Sequence, residues 1–146
     1  MPTHVRRQLR EAAAAAVTSL TTTGARVFQS RMRPQADAGL PCLLVATNDE
    51  AVSPGSVGAM QERELTLTVT GVAKASASVD DTLDAIALEV ETALAAAHTL
   101  GGLAAGMELR GIKVEFDDET DKPVGQIALD YRLTYFVASG SPGSVI

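Results

Sequence analysis

Residues 78–100 read SVDDTLDAIALEVETALAAAHTL, and this stretch decides the fold. Val79, Leu83, Ile86, Val90, Leu94 and Ala97 recur at steps of three or four, so they line one face of a helix. Ser78 stands where an N-cap is needed, its hydroxyl placed to accept an orphan amide of the first turn. Asp80 and Asp81 set negative charge beside the positive end of the helix dipole, and Gly101-Gly102 supplies a stop. The outer face carries Asp80, Asp81, Asp84, Glu89 and Glu91. A helix apolar on one side and acidic on the other must lie on a second layer, and the flanking segments read as strands that supply it.

Upstream, residues 3–23 repeat Val5, Leu9, Ala12 or Ala13, Ala16 or Val17, and Leu20 at helical spacing, with Thr3 as N-cap and Gly24 as stop. Arg6, Arg7 and Arg10 near its start oppose the helix dipole. They are either a solvated face or a surface that meets acidic residues on another subunit, with Asp80, Asp84 and Glu91 as the complementary set. Residues 25–32 form a short strand anchored on Val27 and Phe28, and 34–39 a turn-rich link. The apolar run 40–46, which holds Cys42, is a buried strand. Residues 48–60, opening with Asn48, Asp49 and Glu50, are rich in Gly, Ser, Pro and Ala. They read as a long loop that is either passive or ordered on assembly. In 62–73, Leu65, Leu67 and Val69 alternate with Thr66, Thr68 and Thr70, so this strand has an apolar side and a polar, second-interface side. Gly71 breaks the phase and suggests a bulge.

Downstream, 109–116 is a strand with Ile112, Val114 and Phe116 on one face and Lys113 and Glu115 on the other. An acidic turn follows, with Asp117, Asp118, Glu119 and Asp121. The last strand, 124–137, sends Ile127, Leu129, Tyr131, Leu133 and Tyr135 one way and Gln126, Asp130, Arg132 and Thr134 the other. Residues 139–146 are a Ser/Gly/Pro tail, flexible or docked on a neighbour. This order predicts a single α+β domain over 1–138, in which a mostly antiparallel sheet of about four to five strands packs against two helices.

Composition narrows the function. Aromatic residues are 3% and Trp is absent, so the core is aliphatic and an aromatic-lined ligand pocket is disfavoured. The net charge of −6 argues against a general nucleic-acid surface, which needs clustered Lys and Arg. The lone Cys42 excludes an intrachain disulfide and points to a cytoplasmic life. Arg6, Arg7 and Arg10 before the alanine run mimic an export signal, but Glu11 and the following Thr and Ser residues spoil it. No segment is apolar enough over ~20 residues to span a bilayer, so no membrane partner is expected. His4 and His98 join no ligand or catalytic motif, and Cys42 has no partner base at a recognisable spacing. The acidic turn lacks the glycine and closing glutamate of a calcium loop and reads as a solvated hairpin tip. The expectation is a protein that is not an enzyme and needs no cofactor and no metal.

The order of these motifs resembles the tail terminator family of long-tailed bacteriophages, the type of the lambda minor tail protein U. The resemblance runs from the first helix through Arg26-Val27-Phe28, Arg31 and Pro34 to the run 40–45. It continues with Thr70-Gly71-Val72-Ala73-Lys74, the helix 80–91, Leu109 to Ile112, the acidic turn and Pro123-Val124-Gly125. The Ala-rich first helix, residues 48–60 and the tail depart from it. The resemblance implies a virion structural protein assembled in the host cytoplasm and placed at the head-proximal end of the tail. There it forms a homohexameric ring that caps the tail tube, stops its polymerisation and offers a surface to head-completion or neck proteins. Genome DNA passes through such a ring without sequence-specific binding. Asn48, Asp49, Glu50, Asp117, Asp118, Glu119 and Asp121 are the residues expected at the lumen or tube, where acidic charge repels phosphates. The threonine row and the arginine and acidic sets are expected at subunit or partner interfaces. The alternatives are a related head–tail connector or tail completion protein and, less simply, a small-molecule-binding α+β module.

Overall fold

The computed structural model describes residues 3–29, 32, 39–55, 59–118 and 123–146. Among them, helices α1 (Val5–Ala16) and α2 (Val79–Ala96) lie on one sheet of six strands. The strands are β1 (Val27–Phe28), β2 (Cys42–Pro54), β3 (Met60–Lys74), β4 (Gly106–Asp117), β5 (Val124–Ala138) and β6 (Ser141–Val145). The spatial order is β1-β2-β3-β5-β4, with β6 also paired to β5. Every pairing is antiparallel except β1 on β2. The α+β class is as expected; the strand count of six exceeds the expected four to five.

The apolar face of α2 is the one its spacing dictates: Val79, Leu83, Ile86, Val90 and Leu94 are buried. Its ends differ. Ser78 occupies the N-cap position, but its hydroxyl makes no cap bond; its carbonyl accepts from the Thr82 amide at 3.1 Å instead. The helix stops at Ala96, and Leu100, at φ +48, turns the chain back and buries its own side chain before the two glycines. Glu89 leaves the outer acidic face to bind the turn after α1, accepting from the Thr22 amide at 2.8 Å and its hydroxyl at 2.5 Å.

Two glycines let α2 sit down on the sheet. A Cβ at Gly71 would lie 2.6 Å from Ile86 Cγ2, and one at Gly125 would lie 2.8 Å from Val79 Cγ2. Gly71 is therefore a docking site and no bulge: it stays in register with Leu43 on one side and Ile127 on the other. Where β2 pairs with β3, the bulge lies between Thr47 and Glu50.

That bulge corrects a second expectation. Residues 48–54 continue β2, where a loop was expected from Asn48 onward. The ladder uses main-chain groups, so a polar, small-residue sequence can extend a strand once a partner of equal length lies beside it. Strand β3 starts at Met60 and supplies that partner. Residues 139–146, expected as a tail, hold β6, and Ile146 donates its amide to the Phe136 carbonyl at 3.0 Å. Residues 56–58 of the expected loop, Arg31, Pro34, Glu119 and Asp121 lie outside the described residues.

Helix α1 is shorter than expected at both ends. Thr18 Oγ1 donates to the Ala14 carbonyl at 2.7 Å, and the Thr/Ser cluster that follows folds into tight turns. His4, in place of Thr3, is the N-cap: its Nδ1 accepts from the Arg6 amide at 3.0 Å. Burial, and then the Arg6 charge, hold the His4 pKa below its ordinary 6.5. The unfolded chain therefore binds the His4 proton more readily. This contribution to stability is intact above pH 6.5 and is lost as pH falls from 6.5 through the folded value. His4→Asn keeps a cap acceptor without the titration. Urea midpoints measured between pH 7.5 and 5 are expected to fall more steeply for the wild type than for this variant; parallel slopes contradict the assignment.

Candidate assembly surfaces

Both helices cover the same face of the sheet. On that face lie Leu65, Leu67 and Val69 of β3 and Leu129, Leu133, Tyr135 and Val137 of β5, all fully buried. The alternate residues point to the other face, which no described helix covers. Near one end a small cluster of Cys42, Leu44, Val72 and Val124 is buried there. Burial pushes the Cys42 thiol up to about 11, so at neutral pH it is a protonated, inert core group. The rest of the face is polar and half-buried: Thr66, Thr68 and Thr70 of β3 beside Asp130, Arg132 and Thr134 of β5. The central threonine is fixed, with Thr68 Oγ1 donating to Asp130 Oδ1 at 2.7 Å and accepting from Asn48 Nδ2 at 2.8 Å. Arg132 reaches Glu64 at 3.6 Å. The expected threonine face is thus a half-buried polar surface, with Thr68 hydrogen-bonded at its centre.

The edge strand β4 has the two faces its alternation predicts, and runs from Gly106 to Asp117 where 109–116 was expected. Ile112, Val114 and Phe116 do share the helix-facing side, opposite Leu129, Ile127 and Gly125 of β5. Yet β4 lies beyond both helices, and these side chains are 48%, 47% and 56% exposed, with Leu109 at 38%. Period-two alternation places residues on a face and carries no information on whether that face is covered. On the opposite side of β4 the charges cancel in pairs, Lys113 with Glu115 at 2.8 Å and Arg110 with Glu108 at 3.2 Å.

A third feature has no signal in the sequence. The bulge after Thr47 turns Glu50 to the helix side, where its side chain is 7% exposed. Its Oε2 accepts from Arg6 Nη1 at 2.9 Å and from Arg63 Nη1 at 3.5 Å, and its Oε1 accepts from the Tyr135 hydroxyl. Burial, then the bond to Glu50, raise the Tyr135 pKa. This cluster ties α1, β2, β3 and β5 together.

The expected interface residues therefore separate. Arg6 is bound to Glu50, Arg7 to Glu11 of its own helix at 2.7 Å, and Arg10 to Gln29 at 3.2 Å. Asp80 and Asp84 are exposed on α2, while Glu91 is half-buried beside Tyr131. Asn48 belongs to the polar face and Asp49 is exposed at the bulge. Asp117 and Asp118 sit at the far end of β4, about six residues or roughly 20 Å of strand from Asn48. The described residues expected at the lumen or tube thus lie in two separate places, and Glu50 is turned inward.

Tyr131 adds a checkable detail. It is 5% exposed, and its hydroxyl is buried with no hydrogen-bond partner among the described residues. Burial, reinforced by the Glu91 charge, pushes its pKa up to about 12. An unsatisfied buried hydroxyl costs about 1–3 kcal/mol. Tyr131→Phe is expected to stabilise the chain by about 1 kcal/mol, read as a thermal midpoint raised by roughly 3 °C. A lower midpoint refutes the claim that this hydroxyl is unpaired.

No described group of three or more His, Cys, Asp and Glu side chains has a metal-holding arrangement. An open cleft of about 460 Å³ between His4 and residues 140–144 is lined by small residues. Among the described residues no helix is long and apolar enough to cross a membrane. What the fold displays is surface: a sheet clothed on one side, with a polar face and an apolar edge.

These are the features of a small α+β protein with one helix-covered sheet face, one open polar face and an exposed apolar edge. The chain belongs to the phage minor tail protein U family, whose model matches residues 4–135. It is a phage tail structural protein by that membership, in agreement with the resemblance read from the sequence. Among solved structures, a chain from the virion of a native gene transfer agent particle is similar at 19% identity, over 90% of each chain, with a TM-score of 0.49. No curated protein matches this chain.

Proposed function

We propose that this chain is a tail terminator: a ring, hexameric by resemblance, that caps the head-proximal end of the tail tube and presents a surface to head-completion or neck proteins. The observation that carries this reading is a helix-covered sheet with one open polar face and an uncovered apolar edge, in a member of a phage tail protein family. A closed ring needs a heterologous contact between unlike surfaces of each copy, and the chain offers unlike surfaces. The threonine face, with Thr66, Thr68 and Thr70, suits contact with the tube or a neck protein, because it offers polar groups that can bond a partner directly or through water on a face no described helix covers. Asn48, Asp49, Asp117 and Asp118 are the acidic and polar positions proposed to face passing DNA, where like charge prevents sticking.

The test is a tube-growth assay. The purified protein is added to polymerising tail tube subunits, and tube lengths are measured in negative-stain images. A terminator gives short tubes with a ring at one end. Tubes of unchanged length with a ring bound only after a separate cap is present would instead support a connector or tail completion role. Release of a small molecule from the purified protein, with no effect on tubes, would support a binding module.

A further inference from the structure

We infer that copies of this chain join edge to edge, with the β4 edge of one copy seated on the β2 edge of the next. This inference rests on the ring reading above and deepens it by naming the contact. The row Leu109, Ile112, Val114 and Phe116 is exposed on the helix-facing side of the last strand of the sheet. Soluble proteins guard such edges with charged side chains, bulges or prolines. Here the β4 bulge lies between Leu109 and Gly111, and past it Lys113 and Glu115 point to the opposite face and neutralise each other, so the helix-facing side from Ile112 to Phe116 carries no charge. The stripe continues the core side of the sheet past the end of its helix layer, so it has the character of a core cut open.

The occupant is a second copy because the same sheet has a matching open edge. Strand β1 pairs with β2 only at Leu43 and Leu44, and no further described strand lies outside β2. Residues 51–54 are exposed there, with Val52 at 51%. In the sheet β4 runs opposite to β2. Copies related by rotation about an axis along the strands therefore bring β4 and the next β2 together antiparallel, the more stable ladder. The contact is between unlike edges, so it leaves one edge of each kind free until the ring closes. Size agrees as well: the 12 residues of β4 span about 40 Å. With side chains on both sheet faces giving roughly 20 Å of depth, the edge presents on the order of 800 Å², the share of one partner in a standard interface.

The test uses two variants of the full chain, Ile112→Lys/Val114→Lys on β4 and Val52→Lys on β2, both at exposed positions. Circular dichroism and thermal midpoints check that each is folded. Native mass spectrometry reads assembly, alone and after incubation with tail tubes. The wild type is expected to form a closed oligomer, and each variant alone to remain a monomer. An equimolar mixture is expected to give dimers and nothing larger, because each dimer uses the sound β2 edge of one variant and the sound β4 edge of the other. Variants that assemble like the wild type overturn the inference, as does a wild type that stays monomeric both alone and on tubes. A Val52→Lys protein that dimerises alone also overturns it, by showing β4 pairing with itself. If the edges behave as inferred but tubes grow unchecked, the terminator reading fails while the edge contact stands.

Discussion

Glu50→Ala is expected to destabilise the folded chain by about 3–5 kcal/mol, the largest effect of any single surface-to-core substitution proposed for this protein. The side chain of Glu50 is 7% exposed and is the shared acceptor for Arg6, Arg63 and Tyr135. Truncation leaves the Arg63 guanidinium, at 14% exposure, without its carboxylate in a low-dielectric site, and Arg63 Nε already lacks a partner among the described residues. It also orphans the Tyr135 hydroxyl. Arg6 is 43% exposed and can turn to water, so Arg6→Ala is expected to cost under 1 kcal/mol. Glu50→Gln keeps an acceptor and the shape, and falls between the two. Urea unfolding at pH 7 measures all three. An Arg6 variant as damaging as Glu50→Ala would show that the carboxylate matters through α1 alone and not through the buried Arg63 and Tyr135.

Gly71→Val should cost about 3 kcal/mol and is the second largest effect. Its Cβ alone would meet Ile86 Cγ2 at 2.6 Å and Ile127 Cγ2 at 3.2 Å, and both neighbours are buried, so neither can swing into solvent. Overpacking of this kind costs about 1–3 kcal/mol, and the two further methyls of valine put this site at the upper end. The strain is relieved if Ile86 is shortened, so the pair Gly71→Val/Ile86→Ala should be less destabilised than the sum of the singles by 1 kcal/mol or more. Additive effects would mean that α2 does not rest on Gly71. Because the helix rests there, a valine also lifts α2 and loosens the layer that keeps β3 and β5 dry.

The legible parts of this fold share one property: they are set by local periodicity. The face of α2 follows from the spacing of Val79, Leu83, Ile86, Val90 and Leu94, and the sides of β3 and β5 follow from strict alternation. Fold class was readable from the order of those elements, because each buries a face that its own residues prescribe; the family was readable only as a resemblance of its motifs. The residues of the threonine face were readable for the same reason.

Three matters were decided only by the tertiary structure. Residues 48–54 look like a loop until β3 lies beside them, because a ladder is made by main-chain groups that the side chains do not announce. Glu50 becomes a core charge because a register shift between Thr47 and Glu50 reverses which face it takes, and a single-residue slip of that kind leaves no trace in composition. The apolar residues of β4 have the pattern of a buried strand and are exposed, since the helices that would cover them lie over other strands. Sequence periodicity fixed which side of each element is apolar; only the packing of the layers decided which apolar sides were covered within the chain and which were left open.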